Sequence, residues 1–519
     1  MSIRAWIRRA RRALLATGAA GLLTAGVLAG TATTSQAATQ EPCDIYASGG
    51  TPCVAAHSTT RALYAAYNGP LYQVRRASDS ATKDIGLLSA GGYADAAAQD
   101  SFCTGTSCVI TVIYDQSGKG NNLTQAPKGQ FPGPAAGGND NLAPAAAEPI
   151  TVGGHKAYGV FVGPGTGYRD NSTNGIATGD QPEGMYAVLD GTHYNGNCCF
   201  DYGNAEIDNR DDGDGTMEAI YFGNIKVWGY GAGKGAWVMA DMENNLFSGQ
   251  NTGYNAGDPT VSHRFLTATL KGQPNHWAMR AGNAQTGGLS TYYDGVRPTG
   301  YATMKKQGAI VLGIGGDNSN GASGTFYEGV MTSGYPTAAT EDAVQANITS
   351  VAYTAPAAST ALTPGSRISL RATTACCTSD YIKHDDSDEY AEIANVTSSS
   401  SSTTKADATW IVRAGLSDSS CVSFESANNS GAYLRHYAYR LRLNANDGTS
   451  TFAQDATFCP QPGNSGQGFS FRSDNFTARY LRHYAFNVYI GQNGLSSNSF
   501  DSMSSFGDDS TWMVASPWS

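Results

Sequence analysis

The reagents this chain offers for chemistry are carboxylates. Asp241 and Glu243 stand two apart in Ala240-Asp-Met-Glu-Asn-Asn245, after the strand-like run Ala236-Trp-Val-Met-Ala240. Asp317 follows Gly313-Ile-Gly-Gly316, a strand running into paired glycines, where backbone can approach a ligand closely. No HExxH, phosphate-binding loop, GxSxG or CxxC knuckle occurs, and three of the 8 histidines recur inside a repeat, so no metal or cofactor site is expected. Glycoside hydrolysis needs two acids and nothing else, one to protonate the leaving oxygen and one to attack or to activate water. If the strand continued past Ala240, Asp241 and Glu243 would share one of its faces. Glu218 and Glu328 are rivals, but each sits among Ile, Tyr, Phe and Val, as an outward strand residue or a buried hydrogen-bonder does. The acidic run Glu206 to Asp214 has the spaced aspartates and glycines of a calcium loop without the twelve-residue EF-hand pattern, and reads as a solvated turn.

The elements that must carry these acids are strands. Cys108–Tyr114, Met217–Phe222, Ala236–Ala240 and Ala309–Ile314 run apolar over five to seven residues between Gly, Asn and Asp, as in a sandwich of antiparallel sheets. Thr59 to Tyr67 and Thr337 to Val351 read as helical patches on its edge. With 63 Gly, 28 Tyr and 15% charged residues, the composition is that of an extracellular all-β protein with long polar loops.

A fragment returns three times in the last third: Tyr381-Ile-Lys-His384, Tyr433-Leu-Arg-His436 and Tyr480-Leu-Arg-His483. Each precedes an Asp-x-Thr-aromatic unit, at Asp407 to Trp410, Asp455 to Phe458 and Asp509 to Trp512. A single copy cannot bury its own apolar face, so the three must share one core around a pseudo-threefold axis, with His and Asp repeated around it as ligand pockets. Between Tyr353 and the repeats, TAPAASTALTPGS reads as a linker.

The chain begins with Arg4, Arg8, Arg9, Arg11 and Arg12, an apolar run from Ala13 to about Gly30, and Ser35-Gln36-Ala37, the pattern of an export signal. The expected division is a signal peptide over 1–38, a catalytic sandwich over 39–353, a linker over 354–366 and a repeat module over 367–519. Without the leader's arginines, 28 basic residues face 43 acidic ones, which argues against nucleic acid, and no later run is long enough to span a membrane. The expected product is a secreted monomer. The ten cysteines suit an oxidising compartment and pair locally as Cys43–Cys53, Cys103–Cys108 and Cys421–Cys459. Adjacent Cys198 and Cys199 are read as a disulfide ring because no unpaired partner is left elsewhere. Cys376 and Cys377 stay open between a ring and separate thiols.

CDIYASGGTPCVAAHSTTRALY, NCCFDYG at 197–203, MEAIYFGN at 217–224, ADMENNLFSG at 240–249 and GIGGDNSNGASGTFYEGVMTSGYP at 313–336 together resemble secreted α-L-arabinofuranosidases of glycoside hydrolase family 54. The triplicate resembles the arabinofuranose-binding β-trefoil those enzymes carry, carbohydrate-binding module family 42. The resemblance implies a concanavalin-like β-sandwich followed by a trefoil. It also implies retaining, exo-acting release of terminal arabinofuranose from arabinoxylan, arabinan and related plant polysaccharides, without cofactor. Glu243 would be the nucleophile and Asp317 the general acid/base, about 5 Å apart, with Glu243 ionised and the proton donor held at a raised pKa. Cys198, Cys199, Trp228, Asp241, Asn244 and Gly316 would grip the sugar. In the module, His436, Tyr437 and Asp455, and His483, Tyr484 and Asp509, would form two pockets. The first repeat reads His384-Asp385 in place of His-Tyr, so its pocket is doubtful. A non-catalytic arabinose-binding lectin and a β-xylosidase are the competing expectations.

Overall fold

The structure, a computed structural model, describes residues 40–354, 362–385, 387–465, 468–493, 498–502 and 505–519. The expected export signal and residues 355–361 of the expected linker lie outside these. The fold is all-β, a two-sheet sandwich as the apolar runs predict, followed by a β-trefoil as the repeat and the family resemblance imply.

In one sheet of the sandwich, Glu183–Asp190 and Gly324–Ser333 pair antiparallel at the centre, flanked by Phe265–Gln273, His155–Val162 and Cys53–Ser58. Nearly every residue of the two central strands is buried, because one face meets the second sheet and the other is covered by loops and by the helix Ala338–Ser350. That helix falls within the expected patch and is capped by Thr337, whose hydroxyl accepts from Thr340 N. The second sheet runs Leu246–Phe247, Trp237–Asp241, Glu218–Gly223, Asp201–Ala205, Ala309–Leu312 and Tyr168–Asp170 before continuing to Cys108–Ile113. All four strands anticipated from the sequence are present.

The other expected helix, Thr59 to Tyr67, is absent; its residues turn away from the strand Cys53–Ser58. Ser58 Oγ accepts from Thr60 N and Arg61 N, and Thr59 donates its hydroxyl proton to Tyr158 O. Short hydroxyl side chains that bond backbone in this way compete with a helix. Arg61, mid-turn, is buried against Glu328, with Nε to Oε2 at 2.6 Å.

In the trefoil the repeated letters divide by job. Ile382, Leu434 and Leu481 from the first fragment, and Trp410, Phe458 and Trp512 from the second, form the shared core and are fully buried. The Trp410 indole donates to Ile382 O and that of Trp512 to Leu481 O, so each ring closes its own repeat. The threonines at 409, 457 and 511 each return their hydroxyl to the carbonyl four residues earlier, finishing a short helix with the repeated Asp at its end. The four bridges expected between cysteines are present, and Cys376–Cys377 is a fifth.

Candidate active site

The strand Trp237–Asp241 does not continue through Glu243. It ends at Asp241, whose Oδ1 accepts from Glu243 N at 3.1 Å, and Glu243 and Asn244 both take left-handed backbone with φ of 64° and 62°. A left-handed non-glycine residue is held only where its surroundings enforce it. Here the Tyr301 hydroxyl donates to Glu243 O at 2.7 Å and itself accepts from Asn245 Nδ2. The turn aims Glu243 back toward Asp241, so the two acids reach one place by a turn rather than by strand alternation. Asn244 is exposed, its amide donating to Asp214 Oδ1 at 3.1 Å.

Asp317 arrives from the opposite direction. After Ala309–Leu312 the chain turns at Gly313, with φ of 84°, and Asp317 Oδ1 accepts from Ser319 N at 2.8 Å. A Cβ on Gly316 would collide with Glu206 Oε2. Only glycine lets the backbone before Asp317 lie on that carboxyl. Buried Asp140 steadies the same loop, its Oδ1 accepting from Asn320 Nδ2 at 2.6 Å and from Asn318 Nδ2 at 3.4 Å.

Five acids gather here, three of them, Glu206, Glu243 and Asp317, near the guanidinium of Arg169. Asp201, Glu206, Asp241, Glu243 and Asp317 interact electrostatically with one another. Arg169 donates from Nη1 to Gly316 O at 2.7 Å and from Nη2 to Glu206 O. Asp201, Glu206, Asp241 and Glu243 are all buried. Burial, then the charges of Asp241 and Glu206, push Glu243 up to about 11, and burial raises Asp241 to about 7. Burial and then Asp241 raise Asp201 well above the carboxylate range. Neither Asp201 oxygen receives a hydrogen bond from a described donor, nor does Glu206 Oε2. A negative charge on one acid of this cluster disfavours a charge on its neighbours. The large upward shift falls on the expected attacking group, the reverse of the expectation that Glu243 stands ionised, because burial and the neighbouring acids Asp241 and Glu206 disfavour its charge.

The Cys198–Cys199 ring forms the wall beside these acids. It packs with Tyr221, Trp237, Met239 and Leu246, with Ile225, Trp228 and Tyr230 half-buried around it. Cys199 N donates to Ser319 O and Gly321 N to Cys198 O, tying the ring to the Asp317 loop. The two sulfurs and an Asp241 oxygen lie within 4.8 Å of one another, but sulfurs bonded to each other are not thiolates and offer a metal little. The arrangement supplies an apolar, polarizable patch for one face of a small ring, and carboxyls beside it that can hold hydroxyls, attack a carbon or move a proton.

Residues 42–354 match the family model described as "Alpha-L-arabinofuranosidase B, catalytic", and residues 370–514 match the "Alpha-L-arabinofuranosidase B (ABFB) domain". The chain belongs to the α-L-arabinofuranosidase B family. By that membership it is a glycoside hydrolase. A probable α-L-arabinofuranosidase B of Aspergillus terreus is 61% identical over 478 residues, covering 91% of this chain and 94% of the relative. An arabinofuranosidase/β-xylosidase of Trichoderma koningii is 60% identical over 478 residues, with 91% and 95% covered. A crystal structure of an arabinofuranosidase complexed with arabinofuranosyl-α-1,2-xylobiose superposes with a TM-score of 0.72 at 56% identity, over 92% of this chain and all of that one.

In this arabinofuranosidase-family chain, each trefoil His is linked to its Asp through a side chain from outside its own repeat. In the second repeat, His436 Nε2 meets Asn475 Oδ1 at 2.9 Å, and Asn475 Nδ2 donates to Asp455 Oδ1 at 2.7 Å. In the third, Thr374 bridges His483 and Asp509 at 2.8 Å each. In the first, Asn428 Oδ1 lies 3.0 Å from His384 Nε2 and Asn428 Nδ2 donates to Asp407 at 2.7 Å, so the polar triad is complete there too. What differs is the flank. Arg435 and Arg482 reach Asp455 and Asp509 and lie over Tyr437 and Tyr484, whereas Lys383 turns to Glu392.

The rival acids are structural. Glu218 is fully buried between Arg297 and Lys306, at 2.9 and 3.0 Å, and Glu328 is clamped by Arg61. Reading the residues missed Asp201, Glu206, Arg169, Tyr301 and Asp140. Glu206 opens the acidic run taken for a solvated turn; most of its successors are exposed, but it points inward. The Phe-Asp-Tyr-Gly directly after the two cysteines was the one available pointer to Asp201.

Proposed function

We propose that the protein is a retaining, exo-acting α-L-arabinofuranosidase that releases terminal arabinofuranose from arabinose-decorated plant polysaccharides such as arabinoxylan and arabinan, with Glu243 as nucleophile and Asp317 as general acid/base. One observation carries the reading. Acids from two separate strand ends meet in a single buried cluster beside a disulfide patch. In the first half-reaction a Glu243 oxygen bonds to the anomeric carbon, the bond to the leaving oxygen breaks, and the Asp317 proton passes to that oxygen. In the second, Asp317 takes a proton from water as the water oxygen displaces Glu243. Asp241, Trp228, Gly316 and the cysteine ring would hold the furanose. The His436/Asp455 and His483/Asp509 pockets would hold other arabinose units of the polymer. The leader over 1–38 supports export.

Glu243→Gln and Asp317→Asn should each lower turnover of 4-nitrophenyl α-L-arabinofuranoside by about 10⁴-fold or more in folded protein. NMR of the first sugar released should show the substrate's anomeric configuration. Near-normal rates in both variants, or inverted product, would end the assignment; no release of arabinose by the unaltered chain would favour the lectin reading. The relative named arabinofuranosidase/β-xylosidase supports a second reading, hydrolysis of β-xylosides in the same cleft, which 4-nitrophenyl β-xyloside measures directly.

A further inference from the structure

We propose that the groove between sandwich and trefoil is a further binding site, one that takes the main chain of the polymer as a run of undecorated β-1,4-linked xylopyranose rings. The proposal rests on the polysaccharide reading above and concerns the part of that substrate which neither the cleft nor the arabinose pockets hold.

The groove has a volume of about 1190 Å³. Pockets that enclose one drug-sized ligand measure about 300–1,000 Å³, so this one takes several sugar rings in a row. Its ends meet sites already described. At one end are Ile225 and Lys226, and Ile225 packs with Trp228 around the cysteine ring beside the acids. At the other is Phe476, 39% exposed, whose ring stands edge-on to His436 of the second pocket with centroids 5.3 Å apart. Asn475, which bridges that histidine to Asp455, lines the groove too. A polymer with one arabinose in the cleft and another in the second pocket would lay its main chain between these ends.

Each wall carries a buried polar group without a partner. From the sandwich comes Asn224, 7% exposed, which follows the strand Glu218–Gly223 and whose Oδ1 accepts from no described donor. From the trefoil comes Arg472, 6% exposed. Its guanidinium lies 4.4 Å over the Tyr194 ring and its Nη2 donates to the Tyr194 hydroxyl at 3.1 Å, while Nε has no described acceptor. A buried acceptor and a buried donor left open cost stability until something in the groove meets them. A hydroxyl does either job, giving its proton to Asn224 or accepting one from Arg472. Gly196 keeps the space clear between the walls, since a Cβ there would stand 3.3 Å from Thr477 Oγ1 and 3.4 Å from Asn224 Oδ1. Cations along the groove are already matched, Lys234 to Asp474 at 3.7 Å, Arg264 to Glu148 at 2.5 Å and Arg479 to Asp501 at 2.8 Å, so the site suits a neutral chain of hydroxyls over an acidic one. Ile225 and Phe476 add apolar surface, against which the flat C–H face of a pyranose ring packs better than a puckered furanose.

The test titrates the full chain with xylohexaose by calorimetry, with and without excess free arabinose to fill the cleft and the pockets. Xylohexaose should bind the unaltered chain, and arabinose should not displace it. Asn224→Ala and Arg472→Met should each weaken that binding about tenfold. KM for arabinoxylan should rise by a similar factor, while kcat/KM for 4-nitrophenyl α-L-arabinofuranoside, which is too short to reach the groove, moves by less than about twofold. Should either variant fail to fold, Thr477→Trp decides, because it fills the groove from a half-buried position on its edge: lost xylohexaose binding supports the proposal and unaltered binding refutes it. No binding of xylohexaose by the unaltered chain, displacement by arabinose, tighter binding of a linear arabinan oligosaccharide, or an equal loss on both substrates in Asn224→Ala would each overturn it. The titration needs no turnover, so the two readings fail separately. A chain that binds xylohexaose but releases no arabinose sinks the hydrolase reading, and one that releases arabinose but ignores xylohexaose sinks only the groove.

Discussion

At the scale of single residues, the cleft is built from groups that folding disfavours. Burying an acid with other acids around it costs stability that hydrophobic side chains in the same places would not. Glu243 shows the sign. Its folded pKa is pushed up to about 11 while an unfolded glutamate ionises near 4.5, so the folded state holds a proton that the unfolded chain releases. Its stabilising proton is fully held below about pH 4.5 and its contribution fades as pH rises above that. Glu243→Gln cannot titrate, and should melt about 2–4 °C above the unaltered protein at pH 8 with a much smaller difference at pH 4.5, in calorimetry at both values. Equal melting temperatures at pH 8 would mean the acid cluster is better solvated than its burial indicates. The candidacy of Glu243 and Asp317 was legible in their letters, because each sits where a strand meets glycines or asparagines. The place of Glu206 in the same buried acid cluster was not, since nothing along the chain says that residues 37 positions apart come together.

At the scale of elements, two strand ends do the positioning by different devices. The turn after Asp241 uses left-handed residues pinned by Tyr301 and by the Asp241 carboxylate. The loop after Ala309–Leu312 uses glycine for close approach. Gly316→Ala tests the second device, because its Cβ would meet Glu206 Oε2. Overpacking there should cost about 1–3 kcal/mol of stability and lower kcat/KM by about 10²-fold, since Asp317 is displaced with the loop. Kinetics and thermal melting of this one variant check both numbers, and unaltered kinetics would show the loop to be more yielding than its clamped carbonyls suggest. The misread segment Thr59 to Tyr67 teaches the same lesson from the other side. Its letters suit a helix, but Arg61 is drawn to Glu328, 267 residues away, and the local hydroxyls shape a turn around that ion pair.

At the scale of the whole molecule, sandwich and trefoil share a polar seam. Gln461 donates to Thr192 O and Tyr194 O, the Arg472 guanidinium lies over the Tyr194 ring, and Gln492 donates to Asn197 Oδ1. Asn197 neighbours the Cys198–Cys199 ring and donates to Gly321 O, so the module braces the loops around the cleft. If the second and third pockets hold polymer together, Asp455→Ala and Asp509→Ala should each weaken retention on insoluble arabinoxylan modestly, and the double variant should lose about 10²-fold or more. Pull-down against free arabinose as competitor measures this. A double variant that binds like the unaltered chain would remove these pockets from polymer binding. Among the described residues no helix is long and apolar enough to cross a membrane.

By itself the sequence determined what is written locally or written repeatedly: strands from apolar runs, a threefold core from three copies of one motif, a ring from adjacent cysteines, and acids placed beside glycines. Tertiary structure alone decided which acids gather in one cluster and which are held by buried cations. Glu218 and Glu328 became scaffold because Arg297, Lys306 and Arg61 neutralise them in the interior. Glu243 is pushed up instead, by burial first and then by the acids Asp241 and Glu206 beside it. The strength of a buried charge depends on what surrounds it in space, and those surroundings are assembled from segments hundreds of residues apart.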